Sequence, residues 1–229
     1  MTVIVSVLKQ GPEYGATEAQ FLHNQLRDYD TVCLSDLSIP DVKTYKLRYN
    51  WPGWWSKLEL FNPDGPLAGE DLLYIDIDTL ITGDLTGLIK VREMAGEMVM
   101  LTDFYNEKVP TKPPASGVMF IPANIKQYVW SQWLDFGPEK AMQTFIRPPR
   151  GGDQGFIGSV LPHAARWQDR HPGEILSYKK DVAGKGMEGY HNVRSVGNGQ
   201  IPHKAKIVCF HGKPRPWHVD YQKLLNTRG

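Results

Sequence analysis

The sequence predicts an α/β fold in which a mixed, mostly parallel sheet is flanked by helices. Three short apolar runs rich in strand-forming residues indicate a sheet, at Val3–Leu8, Leu72–Ile75 and Gly117–Ile121. The first run is followed by a helical pattern and a second strand, Thr31–Leu34, which is the order of a βαβ unit with a right-handed crossover. We therefore expect the three runs to share one sheet, in a single domain that spans residues 1–229.

Composition narrows the class of protein. Hydrophobic residues make up 41% of the chain and charged residues 22%, which supplies enough apolar material for a sizeable core. No apolar run approaches the ~20 residues of a membrane span, and the first residues form a strand pattern without the features of a signal peptide. Cys33 and Cys209 lie in apolar runs and are predicted to be buried, reduced thiols. We therefore expect a soluble, cytoplasmic protein.

Charge is unevenly distributed, although the net charge is only +1. Residues 1–139 carry a surplus of acidic side chains, and residues 140–229 carry a surplus of basic ones. An acidic part that faces a basic part suits a metal ion bound together with a phosphorylated ligand. Ordinary surface charge that interleaves on folding is the alternative interpretation.

The first strand, Val3–Leu8, is apolar nearly throughout, which favours a central position in a parallel sheet. A loop with Lys9 and Tyr14 follows, and Thr17 is predicted to cap a helix that ends near Arg27. This loop should lie at the sheet edge where the strand ends. Lys9 and Tyr14 could meet a nucleotide there, although a solvated lysine and a packed tyrosine would explain them equally well.

The next helix is predicted over Pro52–Phe61, with Trp54, Leu58 and Phe61 on one apolar stripe. Lys57 lies among these apolar residues. Its ammonium must therefore reach solvent, pair with a carboxylate or contact an anion. Contact with an anion becomes attractive if the helix borders a metal site.

The strand Leu72–Ile75 ends abruptly in Asp76, Ile77 and Asp78. Strand alternation sends the two aspartates to one face and Ile77 to the other, so two hard oxygen donors converge where a divalent cation could bind. Ligands of open α/β sheets also bind at this edge. The alternative is that the aspartates only terminate the strand, one as a turn residue and one solvated.

Further along, strands are predicted at Met98–Leu101 and Gly117–Ile121, and an amphipathic helix is predicted over Asn124–Phe136. Asp153 follows a Gly-Gly turn and is predicted to be the N-cap of another helix, with Gln154 in its first turn. Such a helix start beside the sheet edge could hold a polyol through the carboxylate and the amide.

The segment Lys179–Gln200 is rich in Gly and Lys without periodicity, which predicts a mobile loop over the site. The last strand, Lys206–Phe210, runs into His211, Lys213 and Arg215. This ending offers one imidazole for a metal and two cations for phosphates. A basic turn with a surface histidine is the alternative.

Four motifs in fixed order resemble those of the GT-A glycosyltransferases similar to family 8, the glycogenin and galactosyltransferase group. They are the strand that ends in Asp-x-Asp, the run Ser116–Asn124, the triplet Gly152–Gln154 and the segment His211–Trp217. The similarity extends over Val3–Trp217. It implies a GT-A-like fold and transfer of a sugar from a nucleotide-diphosphate sugar, a UDP-sugar in the first instance, to an acceptor hydroxyl with retention.

The resemblance also implies a metal site. Asp76 and Asp78 match the metal-binding Asp-x-Asp of the family, and His211 matches its third protein ligand to manganese. Mixed oxygen and nitrogen ligation suits Mn²⁺ or Mg²⁺ better than a closed zinc site. Gly212 and Lys213 follow His211 directly, which is a shorter spacing than in the family.

The resemblance assigns the remaining site residues by position. Asp153 and Gln154 match the pair that touches the transferred sugar, and we take them as the catalytic residues. Lys213 matches the lysine that grips the donor diphosphate, although the short spacing leaves Lys213 and Arg215 as alternatives for that role. The residues predicted to bind the donor are Lys9, Tyr14, Lys57, Asp76, Ile77, Ser116, Gly117, Gly212, Lys213 and Arg215.

Two other classes of function remain open from the sequence. A metal-dependent phosphohydrolase or nucleotidyltransferase would use the same carboxylates but needs more acidic residues at the other strand ends. A non-catalytic nucleotide-sugar binding module would bind the donor without metal-dependent release of nucleoside diphosphate. The acceptor also stays open, and a glycan, a protein, a lipid-linked sugar and modified DNA are all compatible with the basic C-terminal part.

Overall fold

The computed structural model describes residues 2–90, 97–146, 151–183 and 196–226. Within these residues the strands form one large and one small sheet. The strands are β1 (Thr2–Leu8), β2 (Thr31–Ser35), β3 (Thr44–Lys46), β4 (Asp71–Ile75), β5 (Thr79–Ile81), β6 (Val99–Thr102), β7 (Pro114–Ile121), β8 (Ala165–Arg166), β9 (Ile175–Ser177) and β10 (Ile207–Cys209).

Helices connect and cover these strands. The α-helices are α1 (Ala16–Asn24), α2 (Thr86–Ile89), α3 (Ala123–Phe136), α4 (Pro138–Thr144), α5 (Gly152–Val160), α6 (Trp167–Arg170) and α7 (Tyr221–Asn226). Two 3₁₀ helices, Gly53–Phe61 and Pro216–His218, and a π-helical turn at Tyr178–Val182 complete the helical elements of the described residues.

The large sheet has seven strands in the order β3-β2-β1-β4-β7-β6-β8. β1 lies between β2 and β4 and pairs with both in parallel, whereas β7 is antiparallel to its neighbours β4 and β6. The three apolar runs at β1, β4 and β7 therefore share one mixed, mostly parallel sheet. This arrangement confirms the predicted fold class, and the apolar first strand is internal, as predicted.

Both faces of this sheet are covered, which explains why its central strands are apolar along their whole length. Residues such as Val5 and Tyr74 point to one face, where they pack in a core cluster with Trp133 of α3. Their neighbours, such as Ile4, point to the other face and join a cluster that includes Trp167 of α6. Alternation along each strand thus contributes to two cores at once.

The small sheet has the order β5-β10-β9, so the last strand, β10, pairs with β5, which directly follows the Asp-x-Asp segment. β10 is antiparallel to β5 and parallel to β9. Beyond the end of β10, the backbone N–H of Phe210 donates to the carbonyl oxygen of Asp78 at 3.1 Å. This pairing carries His211, the next residue, toward the carboxyl end of β4.

Two predicted helix details are wrong. α1 begins at Ala16 with Gly15 at its N-cap, so Thr17 does not cap it, and the carboxylate of Glu18 accepts the backbone N–H of Gly15 at 2.8 Å. Asp153 is likewise not an N-cap, because Gly151 takes that position and Asp153 lies inside α5. Its carboxylate is thereby left for contacts outside the helix.

The segment around Trp54 also departs from the prediction. It is a 3₁₀ helix, and its tighter winding buries Trp55 in the core while leaving Trp54 59% exposed. The predicted stripe of Trp54, Leu58 and Phe61 assumed the α-helical period, and only Leu58 and Phe61 are buried.

Other expectations concern burial and loops. Cys33 and Cys209 are buried free cysteines, as predicted. Across the described ranges, no helix combines the length and apolar character needed to cross a membrane. The predicted loop Lys179–Gln200 lies partly outside the described residues, and its first residues instead form the π-helical turn, in which Lys179 is buried.

Candidate active site

A cavity of about 440 Å³ opens at the carboxyl edge of β4, where the Asp-x-Asp segment leaves the large sheet. Segments far apart in the sequence meet there. The predicted site residues that line it are Lys57, Asp76, Asp78, Ser116, Gly117, Asp153, Gln154 and His211. The fold thus brings eight of the predicted residues to one space, in agreement with the general position of ligands in open α/β sheets.

Asp76 is fixed by three neighbours. Its backbone N–H donates to the carbonyl oxygen of Gly117 at 2.9 Å, and its carboxylate accepts a short hydrogen bond from the hydroxyl of Tyr74. The ammonium of Lys57 lies 2.9 Å from Oδ1 of Asp76. A Cβ atom on Gly117 would stand 3.3 Å from Oδ2 of Asp76, so the glycine permits this close approach.

Lys57 links Asp76 to Asp153. Its ammonium lies 3.6 Å from Oδ2 of Asp153 and 3.4 Å from the hydroxyl of Ser116. Burial opposes the charge of Lys57, but the carboxylates of Asp153 and Asp76 outweigh it and raise the pKa of the ammonium. Lys57 therefore carries a buried positive charge held by two carboxylates that come from different elements.

The carboxylate oxygen Oδ2 of Asp153 is buried and accepts no hydrogen bond from the residues that the structure describes. Burial raises the pKa of the Asp153 carboxyl, and the charge of Lys57 opposes that shift. Asp153 lines the cavity, and its carboxylate is therefore a candidate contact for a ligand hydroxyl.

Asp78 is the most enclosed carboxylate of the Asp-x-Asp segment. The guanidinium of Arg215 forms a short ion pair with Oδ2 of Asp78, and the hydroxyl of Tyr14 donates to the same oxygen at 3.1 Å. Burial and the negative charge of Asp76 raise the pKa of Asp78 to about 6, against the effect of Arg215. Asp78 and Asp76 both line the cavity, although they follow the strand instead of belonging to it.

Ile77 points away from this cavity. It is buried in a core cluster with Leu8, Ala19 and Cys33 on the opposite side of the segment. The expected alternation of the two carboxylates and Ile77 is therefore present. Any contact of Ile77 with a donor would have to come from its backbone.

The two C-terminal cations are held by Glu13, which the sequence analysis did not single out. Oε1 of Glu13 lies 3.0 Å from the ammonium of Lys213, and its Oε2 lies 2.9 Å from the guanidinium of Arg215. Arg215 is largely buried, whereas the side chain of Lys213 is 66% exposed. No local pattern identifies Glu13, because its role depends on the two chain ends meeting at this edge.

His211 is enclosed by aromatic rings. Phe104 stacks on its imidazole with ring centroids 5.3 Å apart, and Tyr105 meets it edge-on. Its Nε2 lies 2.6 Å from the hydroxyl of Ser177. Burial, reinforced by nearby cations such as Lys179, lowers the pKa of His211 to about 3, so the imidazole is neutral at physiological pH.

Not every predicted donor contact is brought to the cavity. Lys9 does not line the cavity, and its ammonium pairs with Asp36 at 2.9 Å and donates to Asn50 at 2.8 Å. Gly212 does not line the cavity either. It adopts a φ of +83°, a conformation that favours glycine, and thereby turns the chain from His211 toward Lys213.

A hard divalent cation suits the chemistry of this donor set. Asp76 and Asp78 offer carboxylate oxygens, and His211 offers a neutral imidazole. Within the described ranges, no three or more His, Cys, Asp or Glu side chains are grouped closely enough to hold a metal ion. The positive charges of Lys57 and Arg215 neutralise the two carboxylates in this structure.

Comparison with known proteins shows similarity at the level of structure. The chain matches no protein-family model and no curated protein sequence. The galactosyltransferase LgtC, solved in complex with donor and acceptor sugar analogs, superposes with a TM-score of 0.57 at 13% identity, over 99% of this chain and 96% of LgtC.

Two further structures give TM-scores of 0.62. The glycosyltransferase GlyE of Streptococcus pneumoniae TIGR4 is 13% identical, over 98% of this chain and 62% of GlyE. The bifunctional glycosyltransferase WbbM in its apo form is 12% identical, over 97% of this chain and 48% of WbbM. The fold of this chain is therefore that of the GT-A glycosyltransferases, and it spans almost all of LgtC but only part of GlyE and WbbM.

Proposed function

We propose that this protein is a glycosyltransferase that moves a sugar from a nucleotide-diphosphate sugar, with UDP-sugars as the first candidates, to an acceptor hydroxyl with retention. One observation carries the proposal. The cavity at the carboxyl end of β4 combines the Asp-x-Asp carboxylates with Asp153, Gln154 and His211.

The buried, unbridged cysteines Cys33 and Cys209 favour a reducing compartment, and we propose the cytoplasm.

Asp76, Asp78 and His211 are the residues that would hold Mn²⁺ or Mg²⁺. When bound, the cation would stabilise the negative charge that develops on the departing nucleoside diphosphate. His211 suits this role because its neutral imidazole needs no deprotonation to act as a ligand. Lys57 would remain beside Asp76 and limit the net negative charge of the site.

Arg215 is better placed than Lys213 to bind the donor diphosphate. Its guanidinium already contacts Asp78 and is largely buried, so it can form charged hydrogen bonds with little competition from water. The side chain of Lys213 is mostly exposed and pairs with Glu13. The carboxylate of Glu13 bridges both cations, and we infer that diphosphate oxygens replace it when the donor binds.

Asp153 and Gln154 would position the transferred sugar. The carboxylate of Asp153 can accept a hydrogen bond from a sugar hydroxyl, and the amide of Gln154 lies in the same wall. The ammonium of Lys57 lies 3.6 Å from Oδ2 of Asp153, and the hydroxyl of Ser116 hydrogen-bonds to the same carboxylate. The chain therefore supplies a fixed acceptor of hydrogen bonds at the place where a polyol must be oriented.

Release of nucleoside diphosphate from a panel of nucleotide sugars, with Mn²⁺ and with a chelator, tests the proposal. We expect release that requires the metal and that is lost in Asp153→Asn. Lys46→Ala serves as a control, because Lys46 is exposed on the edge strand β3 and should behave like the unchanged protein.

Two results would contradict this function. Turnover of nucleoside triphosphates in place of nucleotide sugars would identify a nucleotidyltransferase or phosphohydrolase. Binding of a nucleotide sugar without metal-dependent release would identify a binding module.

A further inference from the structure

Trp54 is an exposed aromatic side chain at the rim of the cavity. It is 59% exposed, although the residues that follow it in the 3₁₀ helix, from Trp55 to Phe61, are buried. A single exposed tryptophan needs no explanation on a plain surface. Trp54, however, lines the same cavity as Asp76 and Asp153, so its exposed ring faces ligand space.

The geometry of the helix relates Trp54 to the charged floor of the cavity. Residues three apart lie directly above one another in a 3₁₀ helix, so Trp54 stands one turn before Lys57 on the same side. Lys57 reaches inward to Asp76 and Asp153. Trp54 therefore lies one helical turn from Lys57, toward the opening of the cavity.

Gly152 holds the indole in this position. A Cβ atom at Gly152 would lie 2.8 Å from Nε1 of Trp54, and Gly152 adopts a φ of +71°. The start of α5 thus approaches the indole closely because residue 152 lacks a side chain. The ring is supported by backbone from the helix that also carries Asp153 and Gln154.

The cavity is divided into a charged floor and an apolar rim. The floor contains the ion-paired carboxylates, whereas the rim includes Trp54 and Ile146, which is 64% exposed. Gln154 and Asp103 also line the cavity and supply polar groups to it. A ligand for the rim therefore needs a flat apolar face and hydroxyl groups that point inward.

We propose that Trp54 forms the acceptor subsite, that it stacks against the C–H face of a pyranose ring, and that the acceptor is therefore a carbohydrate. This inference rests on the proposed glycosyl transfer. A pyranose has apolar C–H faces and hydroxyls around its edge, which matches an indole face next to carboxylate and amide groups. The proposed function assigns Asp76 and Asp78 to the metal and Asp153 and Gln154 to the transferred sugar, which leaves the exposed indole of Trp54 for the acceptor. The carboxylates of Asp103 and Asp153 disfavour the phosphates of a nucleic acid acceptor.

Saturation-transfer NMR with methyl glucosides, methyl galactosides, lactose and maltose, in the presence of UDP and Mn²⁺, tests the subsite directly. We expect saturation of ring C–H protons in the unchanged protein and about a tenfold loss of affinity in Trp54→Ala, with partial retention in Trp54→Phe. Tyr128→Ala is the matched control, because Tyr128 is 51% exposed on α3 and does not line the cavity.

Gly152→Ala provides a second test in which the tryptophan is kept. The added methyl group would displace the indole, so the glycosides should lose affinity as they do in Trp54→Ala. Melting temperature of each variant separates this effect from a loss of folding. Because Trp54 is exposed, Trp54→Ala should fold normally. A loss of glycoside binding in this variant would therefore come from the missing indole.

Kinetics distinguish the acceptor from other occupants. In glycosyl transfer the Trp54→Ala variant should show a raised KM for the glycoside acceptor with a smaller change in kcat. A raised KM for the nucleotide sugar instead would put the nucleobase on the indole and overturn the inference. Equal glycoside binding by Trp54→Ala and the unchanged protein, or no glycoside binding by either, would also overturn it.

An oligonucleotide or peptide that loses affinity in Trp54→Ala, where the glycosides do not, would assign the rim to another class of acceptor. Failure of the proposed function gives a different pattern. In that case the unchanged protein would not release nucleoside diphosphate from any nucleotide sugar, whether or not Trp54 binds glycosides.

Discussion

The ammonium of Lys57 lies 2.9 Å from Oδ1 of Asp76, and this ion pair joins the 3₁₀ helix to the end of β4 inside the cavity. The same ammonium lies 3.6 Å from Asp153 on α5. Lys57 thus carries one positive charge that two carboxylates from different parts of the fold share. Its loss would leave both carboxylates short of a partner in a largely buried space.

Replacing Lys57 with methionine should lower the free energy of unfolding by about 3 kcal/mol, because removal of one partner leaves buried charge uncompensated. Denaturant unfolding measures the change. Lys112→Met is the control, since the Lys112–Asp169 pair is exposed and should contribute less than about 1 kcal/mol. Equal stability of Lys57→Met and the unchanged protein would show that the buried pair is not required for folding.

Asp78→Ala should abolish the Mn²⁺-dependent stabilisation of the protein by UDP. At a UDP concentration about 100 times its Kd, the unchanged protein should gain roughly 5–10 °C in Tm. Differential scanning fluorimetry with and without Mn²⁺ measures this gain. Asp36→Ala should keep it, because Asp36 pairs with Lys9 and does not line the cavity. Undiminished Mn²⁺ affinity in Asp78→Ala would rule out Asp78 as a ligand.

Arg215→Ala should slow transfer by roughly 10- to 100-fold, because a charged hydrogen bond is lost where the leaving group becomes negative. Lys213→Ala should have a smaller effect, since its ammonium is mostly exposed and screened by solvent. Steady-state kcat and donor KM show which of the two substitutions has the larger effect, with Lys46→Ala as the control. A larger loss of activity in Lys213→Ala than in Arg215→Ala would assign the phosphate contact to Lys213 instead.

His23 should make the protein less stable as the pH falls from about 6.5 to about 4. Burial lowers the pKa of His23 to about 4, so in this range the unfolded chain binds a proton that the folded protein does not. Stability is full above pH 6.5, and its loss should reach about 3 kcal/mol near pH 4. Unfolding of His23→Gln across this range should show a shallower dependence on pH, and an unchanged slope would contradict the assignment.

The local features of this fold could be predicted from the sequence. Apolar runs located β1, β4 and β7, because strands covered on both faces have to be apolar along their length. The abrupt change from Ile75 to Asp76 also marked the edge of the sheet where the cavity opens. The type of helix was less predictable. Trp54 was expected on the buried stripe of an α-helix, but it is exposed because the segment is a 3₁₀ helix.

The sequence by itself determined which segments form the sheet and which of them end in polar side chains, since both follow from short-range periodicity. Only the tertiary structure decided the partners of those side chains. Arg215 meets Asp78, Lys57 joins Asp76 to Asp153, and Lys9 turns to Asp36 instead of the cavity. These contacts depend on strand order and on which loops converge at one edge, and that arrangement is fixed by the packing of the whole chain.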